Sequence, residues 1–188
     1  MMMKHPDPAF TTKHLAMAAL IAALTAVAAW IKIPFPLVPI TLQTLFTYLA
    51  GCLLPGRMAF FSQAAVLCLG LLGVPVFAGG GGPHYLLQPT FGYLLAMPLA
   101  AFAIARTRGD RQSIPRLINA LVVGTAVVFG IGVFWLYATM HLVLKQNLSM
   151  VTALWSGCII FLPGETIKGA VAIWLTQKYA KLAKESKA

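Results

Sequence analysis

The sequence predicts an all-α integral membrane protein: one membrane domain over residues 1–188, with six transmembrane helices and both termini cytoplasmic. Three observations carry this: the composition, the spacing of the apolar stretches and the placement of the basic residues. The chain is 60% hydrophobic and 10% charged, with a mean hydropathy of +0.84. A soluble domain carries about 25% charged and roughly 45–50% apolar residues. No single soluble core hides this much apolar surface, so lipid must be the solvent for much of it.

Prolines, glycines and charges divide the chain into spans at approximately 15–33, 40–54, 58–72, 86–105, 117–144 and 163–182. The first, with Lys32 as its one charge, reaches about 28 Å at 1.5 Å per residue. The second and third are short. The second follows Pro34, Pro36 and Pro39, and the third ends at Gly73 and Pro75. The fourth crosses Pro89 and Pro98; the fifth is long enough to tilt strongly. The sixth opens on Pro163-Gly164, where a helix start tolerates proline. Lys13, the run 15–27 and Ala26-Val27-Ala28 have the outline of a signal peptide. The apolar stretch continues to Ile31, so a retained first helix is expected.

The net charge is +10. With the N-terminus cytoplasmic, the inner face holds Lys4, Lys13, Arg57, Arg106, Arg108, Arg111, Arg116, Lys178, Lys181, Lys184 and Lys187, whereas the outer face holds Lys32 and Lys145. That asymmetry follows the positive-inside rule and favours an even number of spans. Nucleic acid is not the expected partner, because the bases sit in short loops and make no contiguous basic face. Cys52, Cys68 and Cys158 lie in apolar runs without C-x-x-C spacing and read as small buried hydrophobes.

The outer segments 32–41, 73–89 and 145–162 are rich in Pro, Gly or apolar residues, whereas an idle external loop is polar. Residues 150–162 are too short to span and read as re-entrant or interfacial. Apolar outer loops suggest a lid over a cavity, or else packing at the ends of the bundle.

Glu165 and Lys168 are the most informative residues. Three apart, they share one side of a helix. Glu165 falls in the first turn, where the helix dipole favours a carboxylate. Lys168 lies a turn deeper, where an unpaired ammonium costs at least ~2.5 kcal/mol. Intramembrane ionisable groups are functional candidates by default; the alternative is an ion pair that anchors the helix end. Such a pair suits an amphipathic ligand, with Lys168 donating to a carbonyl or carboxylate and Glu165 accepting from an N–H. Gln43 is a buried amide that needs a partner, either another helix or a ligand. The run Gly79-Gly80-Gly81-Gly82-Pro83-His84-Tyr85 lets backbone approach a ligand closely or serves as a flexible connector. It is not a phosphate loop. Tyr85, Tyr93, Phe77, Phe91 and Trp155 are candidates for an aromatic wall or for interface anchors. Ala18, Ala22 and Ala26, with Ala19 and Ala23, repeat small-xxx-small spacing, which permits close helix approach in lipid. No ATP-binding motif, H-E-x-x-H or G-x-S-x-G occurs, so a ligand-binding subunit is expected rather than an enzyme or a self-powered pump.

Several segments together carry a family resemblance: the alanine-rich first helix, Val38-Pro-Ile-Thr-Leu-Gln-Thr-Leu, Gly73-Val-Pro-Val-Phe-Ala-Gly-Gly, Pro89-Thr-Phe-Gly-Tyr-Leu and Leu162-Pro-Gly-Glu-Thr-Ile-Lys. Over nearly its whole length the chain resembles the BioY family, the biotin-specific substrate-binding (S) components of energy-coupling factor (ECF) transporters. The resemblance implies a high-affinity biotin-binding subunit of an ECF-type vitamin importer in a bacterial or archaeal plasma membrane. It would capture biotin at the outer face and pass it inward with an ATP-driven module, a transmembrane coupling subunit plus a cytoplasmic ATPase pair. An S component or small transporter for another vitamin-like ligand is the alternative. Biotin is implied as ligand and no further cofactor. The resemblance places Glu165 and Lys168 in hydrogen bonds to biotin, and Ala18, Ala22 and Ala26 on the surface that docks the coupling subunit. Gln43, Gly79, Gly80, Gly81, Gly82, His84, Tyr85 and Tyr93 complete the expected binding set. The chain departs from the family pattern in two places. Glu165 stands where the motif usually has Asp, and the glycine run lacks an amide-bearing residue of some relatives, where backbone groups, His84 or Tyr85 would substitute.

Overall fold

Thr11 opens the first helix: its hydroxyl accepts the His14 N–H, 3.3 Å away, and satisfies one of the donors left over at a helix start. The computed structural model describes residues 11–109 and 113–185. Lys4, Arg111 and Lys187 of the expected inner charge set lie outside them.

In order the elements are α1 (Thr12–Ala28), β1 (Lys32–Ile33), β2 (Ile40–Thr41), α2 (Gln43–Leu53), α3 (Gly56–Leu71), a 3₁₀ turn (Pro83–Leu87), α4 (Phe91–Arg108), α5 (Ile114–Leu142), α6 (Met150–Gly157), a second 3₁₀ turn (Ile159–Phe161) and α7 (Leu162–Glu185). β1 and β2 form an antiparallel ribbon pairing Lys32 with Thr41 and Ile33 with Ile40.

Side-chain bonds show which ends share a side. Arg108, at the end of α4, donates from Nε to Gly51 O and from Nη2 to Leu54 O, both 2.9 Å. It thereby caps the carbonyls at the end of α2. Lys13 lies over the Tyr179 ring, bringing the start of α1 to the end of α7. At the opposite end, Trp30 Nε1 donates to Pro75 O at 2.9 Å and Lys32 Nζ to Ala78 O, tying the ribbon to the loop after α3. The molecule therefore has a basic end and a ribbon end.

α5 is the spine. Its 29 residues reach about 43 Å, and it is apolar enough to cross a bilayer, as is the run Met150–Ala183. α4 lies against it more extensively than any other pair of helices. Small residues allow this: a methyl added to Gly124 would overlap Ile104, one on Gly132 the Tyr93 ring, and one on Gly92 the Trp135 side chain. The outer flanks remain apolar, with Leu20 59%, Val122 62%, Phe134 72% and Trp174 60% exposed. Hydrocarbon covers such a surface without penalty; water does not.

The observed ends differ from the expected spans for local reasons. α1 stops at Ala28 rather than 33 because the next residues turn into the ribbon. α4 starts at Phe91 rather than 86, since residues 83–87 are 3₁₀ and Pro89 precedes the helix. Pro98 does lie inside α4. α2 has only 11 residues, about 16 Å and so about half the hydrocarbon thickness. The missing half is occupied by loops and by a cavity. Residues 150–162, expected as a re-entrant or interfacial piece, form α6, the second 3₁₀ turn and the first residue of α7.

Candidate functional site

α7 starts at Leu162, and its first turn carries Glu165. Glu165 and Lys168 are 6% and 7% exposed. Lys168 Nζ lies 2.7 Å from Glu165 Oε1 and donates to Thr44 Oγ1 at 2.9 Å. Thr44 in turn donates to the same Glu165 oxygen at 3.0 Å. The three groups form a closed triangle. The second carboxylate oxygen, Oε2, accepts from Tyr48 Oη at 2.7 Å, and Tyr48 Oη is 2.7 Å from Thr125 Oγ1. Every charge here is paired and bonded, the condition under which an apolar interior tolerates ions.

The triangle borders a narrow chamber with a cavity volume of about 60 Å³, tighter than the roughly 300–1,000 Å³ of small-molecule sites. Val38, Pro39 and Thr41 contribute from the ribbon, Gln43 and Thr44 from the start of α2, and Tyr93, Leu94 and Met97 from α4. Val128 and Phe129 of α5 and Phe161 before α7 complete an aromatic side. Tyr93, Phe129 and Phe161 form a run, with centroids 6.1 Å and 6.0 Å apart. The half-length of α2 makes this room: where a full helix would pass, the ribbon and the loop after α3 make the wall.

Of the expected residues, Glu165, Lys168, Gln43, Tyr85 and Tyr93 all line the chamber. Gln43 donates to Val76 O at 3.4 Å, and Tyr93 Oη donates to Gly157 O at 2.7 Å, fixing the end of α6. The glycine run was expected either to approach a ligand or to serve as a connector. Ala78 and Tyr85 are its neighbours that line the chamber, and Gly79 to Gly82 are not among the lining residues. They shape the loop instead. Gly80 and Gly82 adopt φ of 115° and 120°, a region that favours glycine. Gly82 N–H bonds Gly70 O at 2.7 Å, and a side chain on Gly81 would overlap the Val74 carbonyl. Tyr85 Oη accepts the Gly79 N–H at 2.8 Å. His84 is exposed and also outside the lining, as is Trp155, 58% exposed. Phe77 and Phe91 are buried behind the wall.

The alanine stripe is turned inward. Ala18 is buried against α2 and α3 side chains, and Ala22 and Ala26 are half-buried. Ala22 and Ala26 thus keep part of their surface outside the bundle, and Ala16, Ala19 and Ala23 of α1 are exposed.

Thr44, Tyr48, Thr125, Phe129 and Phe161 were not singled out from the sequence. Thr44 and Tyr48 follow Gln43 by one and five positions, so they share its helix start. Phe129 and Phe161 come together only through the meeting of α5 and the turn before α7. Among the described residues no group of His, Cys, Asp and Glu side chains could hold a metal.

Residues 2–185 match the BioY family. The chain belongs to the BioY family. BioY relatives span the chain. A probable biotin transporter BioY of Lysinibacillus sphaericus is 46% identical over 74% of this chain and 72% of its own length. The biotin transporter BioY of Thermotoga maritima is 33% identical over 92% and 99%. A crystal structure of the S component for biotin from an ECF-type ABC transporter superposes with a TM-score of 0.77 at 29% identity. That match covers 92% of this chain and 95% of the other.

Proposed function

We propose that this BioY protein is the biotin-binding S component of an ECF-type importer and that biotin occupies the chamber beside Lys168. The observation that carries the reading is the buried Glu165–Lys168–Thr44 triangle at the edge of a partly open, mostly apolar and aromatic space.

The chemistry sets an orientation. An ammonium has three N–H donors; Glu165 and Thr44 take two, leaving one for the solute. Because Glu165 already neutralises Lys168, a second carboxylate placed there would itself be uncompensated and would be repelled by Glu165. A neutral ureido carbonyl suits the remaining donor better. Biotin's ureido head therefore sits at Lys168, its ring sulfur side against Tyr93, Phe129 and Phe161, and its carboxylate toward the ribbon end. Gln43, facing the same space, offers an amide oxygen to a ureido N–H.

The ribbon end is the outer face in this reading, with six spans and both termini cytoplasmic. Lys13, Arg57, Arg106, Arg108, Arg116, Lys178 and Lys181 at the basic end, against Lys32 and Lys145 at the other, support that orientation. A transmembrane coupling subunit and an ATPase pair would supply the energy the chain has no motif to supply.

Calorimetric titration of detergent-purified protein with biotin tests the reading. Saturable tight binding that is lost in Lys168→Ala is expected. Retention of another vitamin with no affinity for biotin would overturn it in favour of an S component for a different solute.

A further inference from the structure

Glu165 borders two spaces. On one side is the chamber, lined by Thr44 and Lys168. On the other is a cleft between α5 and α7, lined by Tyr48, Thr125, Leu121, Val122, Gly169 and Ile173. The two carboxylate oxygens divide accordingly: Oε1 takes Lys168 and Thr44, and Oε2 takes Tyr48. A carboxylate oxygen has about two lone-pair sites, so the chamber-side oxygen is fully used by protein donors.

Tyr48 is 1% exposed, and its hydroxyl has one proton. It donates that proton to Glu165 and accepts from Thr125, so one oxygen joins α2, α5 and α7. Resting on the biotin reading above, we propose that Tyr48 is a positioning residue. Its hydroxyl, oriented by Thr125, holds Glu165 toward α5, so that the carboxylate acts as counter-ion to Lys168 and does not itself contact the solute. The specificity of the site then lies in the one remaining Lys168 donor, whose direction the Glu165–Tyr48 bond sets. A carboxylate shorter by one methylene stands about one bond length farther from Lys168 and Tyr48; a phenyl ring at position 48 leaves Oε2 without its donor.

A double-mutant cycle tests this, because coupled residues depart from additivity whereas independent ones do not. Biotin affinity is measured on purified protein carrying Tyr48→Phe, Glu165→Asp or both. Each single change is expected to weaken binding about tenfold, the lower range for a hydrogen bond to a charged group. The double variant is expected to stay near tenfold, because the second change has no bond left to break. A roughly hundredfold, additive loss in the double variant, or unchanged affinity in Tyr48→Phe, would overturn the proposal. A tyrosine that merely packs would lower the melting temperature and leave affinity alone. If Tyr48→Phe does not yield folded protein, Thr125→Val replaces it in the same cycle with the same criterion. Should the unaltered protein bind no biotin, the functional reading falls while the Tyr48–Glu165 bond is still judged by the cycle in melting temperature, where additivity rejects it.

Discussion

α5 meets α4 on one side and α7 on the other, and the two seams are built by opposite means. Toward α4, Gly92, Gly124 and Gly132 bring backbone against Trp135, Ile104 and Tyr93 with no room for a methyl. That seam is dry and closely packed, as expected of helices associating in lipid through small residues. Toward α7 the contact is sparse, a cleft opens between the helices, and a polar bridge from Thr125 through Tyr48 to Glu165 makes the connection. A binding site needs volume and polar groups, and both conflict with close packing. The fold therefore puts its rigidity in one seam and its chemistry beside the other.

The largest effect is expected at the polar side. Lys168→Met leaves Glu165 buried without its counter-ion, a loss of ~3–5 kcal/mol in stability by analogy with broken buried pairs. It also removes at least ~1.5–3 kcal/mol of biotin affinity through the missing charged donor. Denaturation in detergent and calorimetry read the two separately; full affinity would mean that the pair is only an anchor. Next comes the dry seam. Gly132→Ala should destabilise by ~1–3 kcal/mol through overpacking and weaken biotin binding as well, because the Tyr93 ring it displaces lines the chamber. A stability loss without an affinity loss would show that the seam does not support the site. Tyr93→Phe removes one neutral hydrogen bond, to Gly157 O, for about 1 kcal/mol of stability. Its ring remains, so a larger loss of affinity than of stability would assign the hydroxyl to the ligand. The smallest effect belongs to the open cleft: Ala170→Leu, on an exposed position, should change stability by no more than ~0.5 kcal/mol. A large penalty there would mean the α5–α7 seam is closed in the bilayer and that the contrast between the seams is overstated.

Much of the site was legible because ions in hydrocarbon are conspicuous. Glu165 and Lys168 stood out as an i, i+3 pair, and Gln43 as an amide at an apolar helix start. From the residues alone Tyr93 and Tyr85 stood in an aromatic group with Phe77, Phe91 and Trp155, and the family resemblance singled the two tyrosines out. The glycine run was ambiguous, because its composition speaks equally for a ligand loop and for a connector; the positive φ of Gly80 and Gly82 and the bond to Gly70 show the turn it makes. Ala18, Ala22 and Ala26 were legible as a close-contact face, since small-residue spacing marks such a contact without naming the surface it meets.

By itself the sequence determined that the protein is helical and strongly apolar, and that an acid–base pair is held in a place where charge is costly. These follow from local composition and from transfer free energies, which depend on each segment alone. The tertiary structure decided that the start of α2 lines a chamber, that Thr44, Tyr48 and Thr125 converge on Glu165, and which side of α1 is free. Those depend on which helices approach and at what distance, and the approach distances are set by small residues on partner helices far away in sequence.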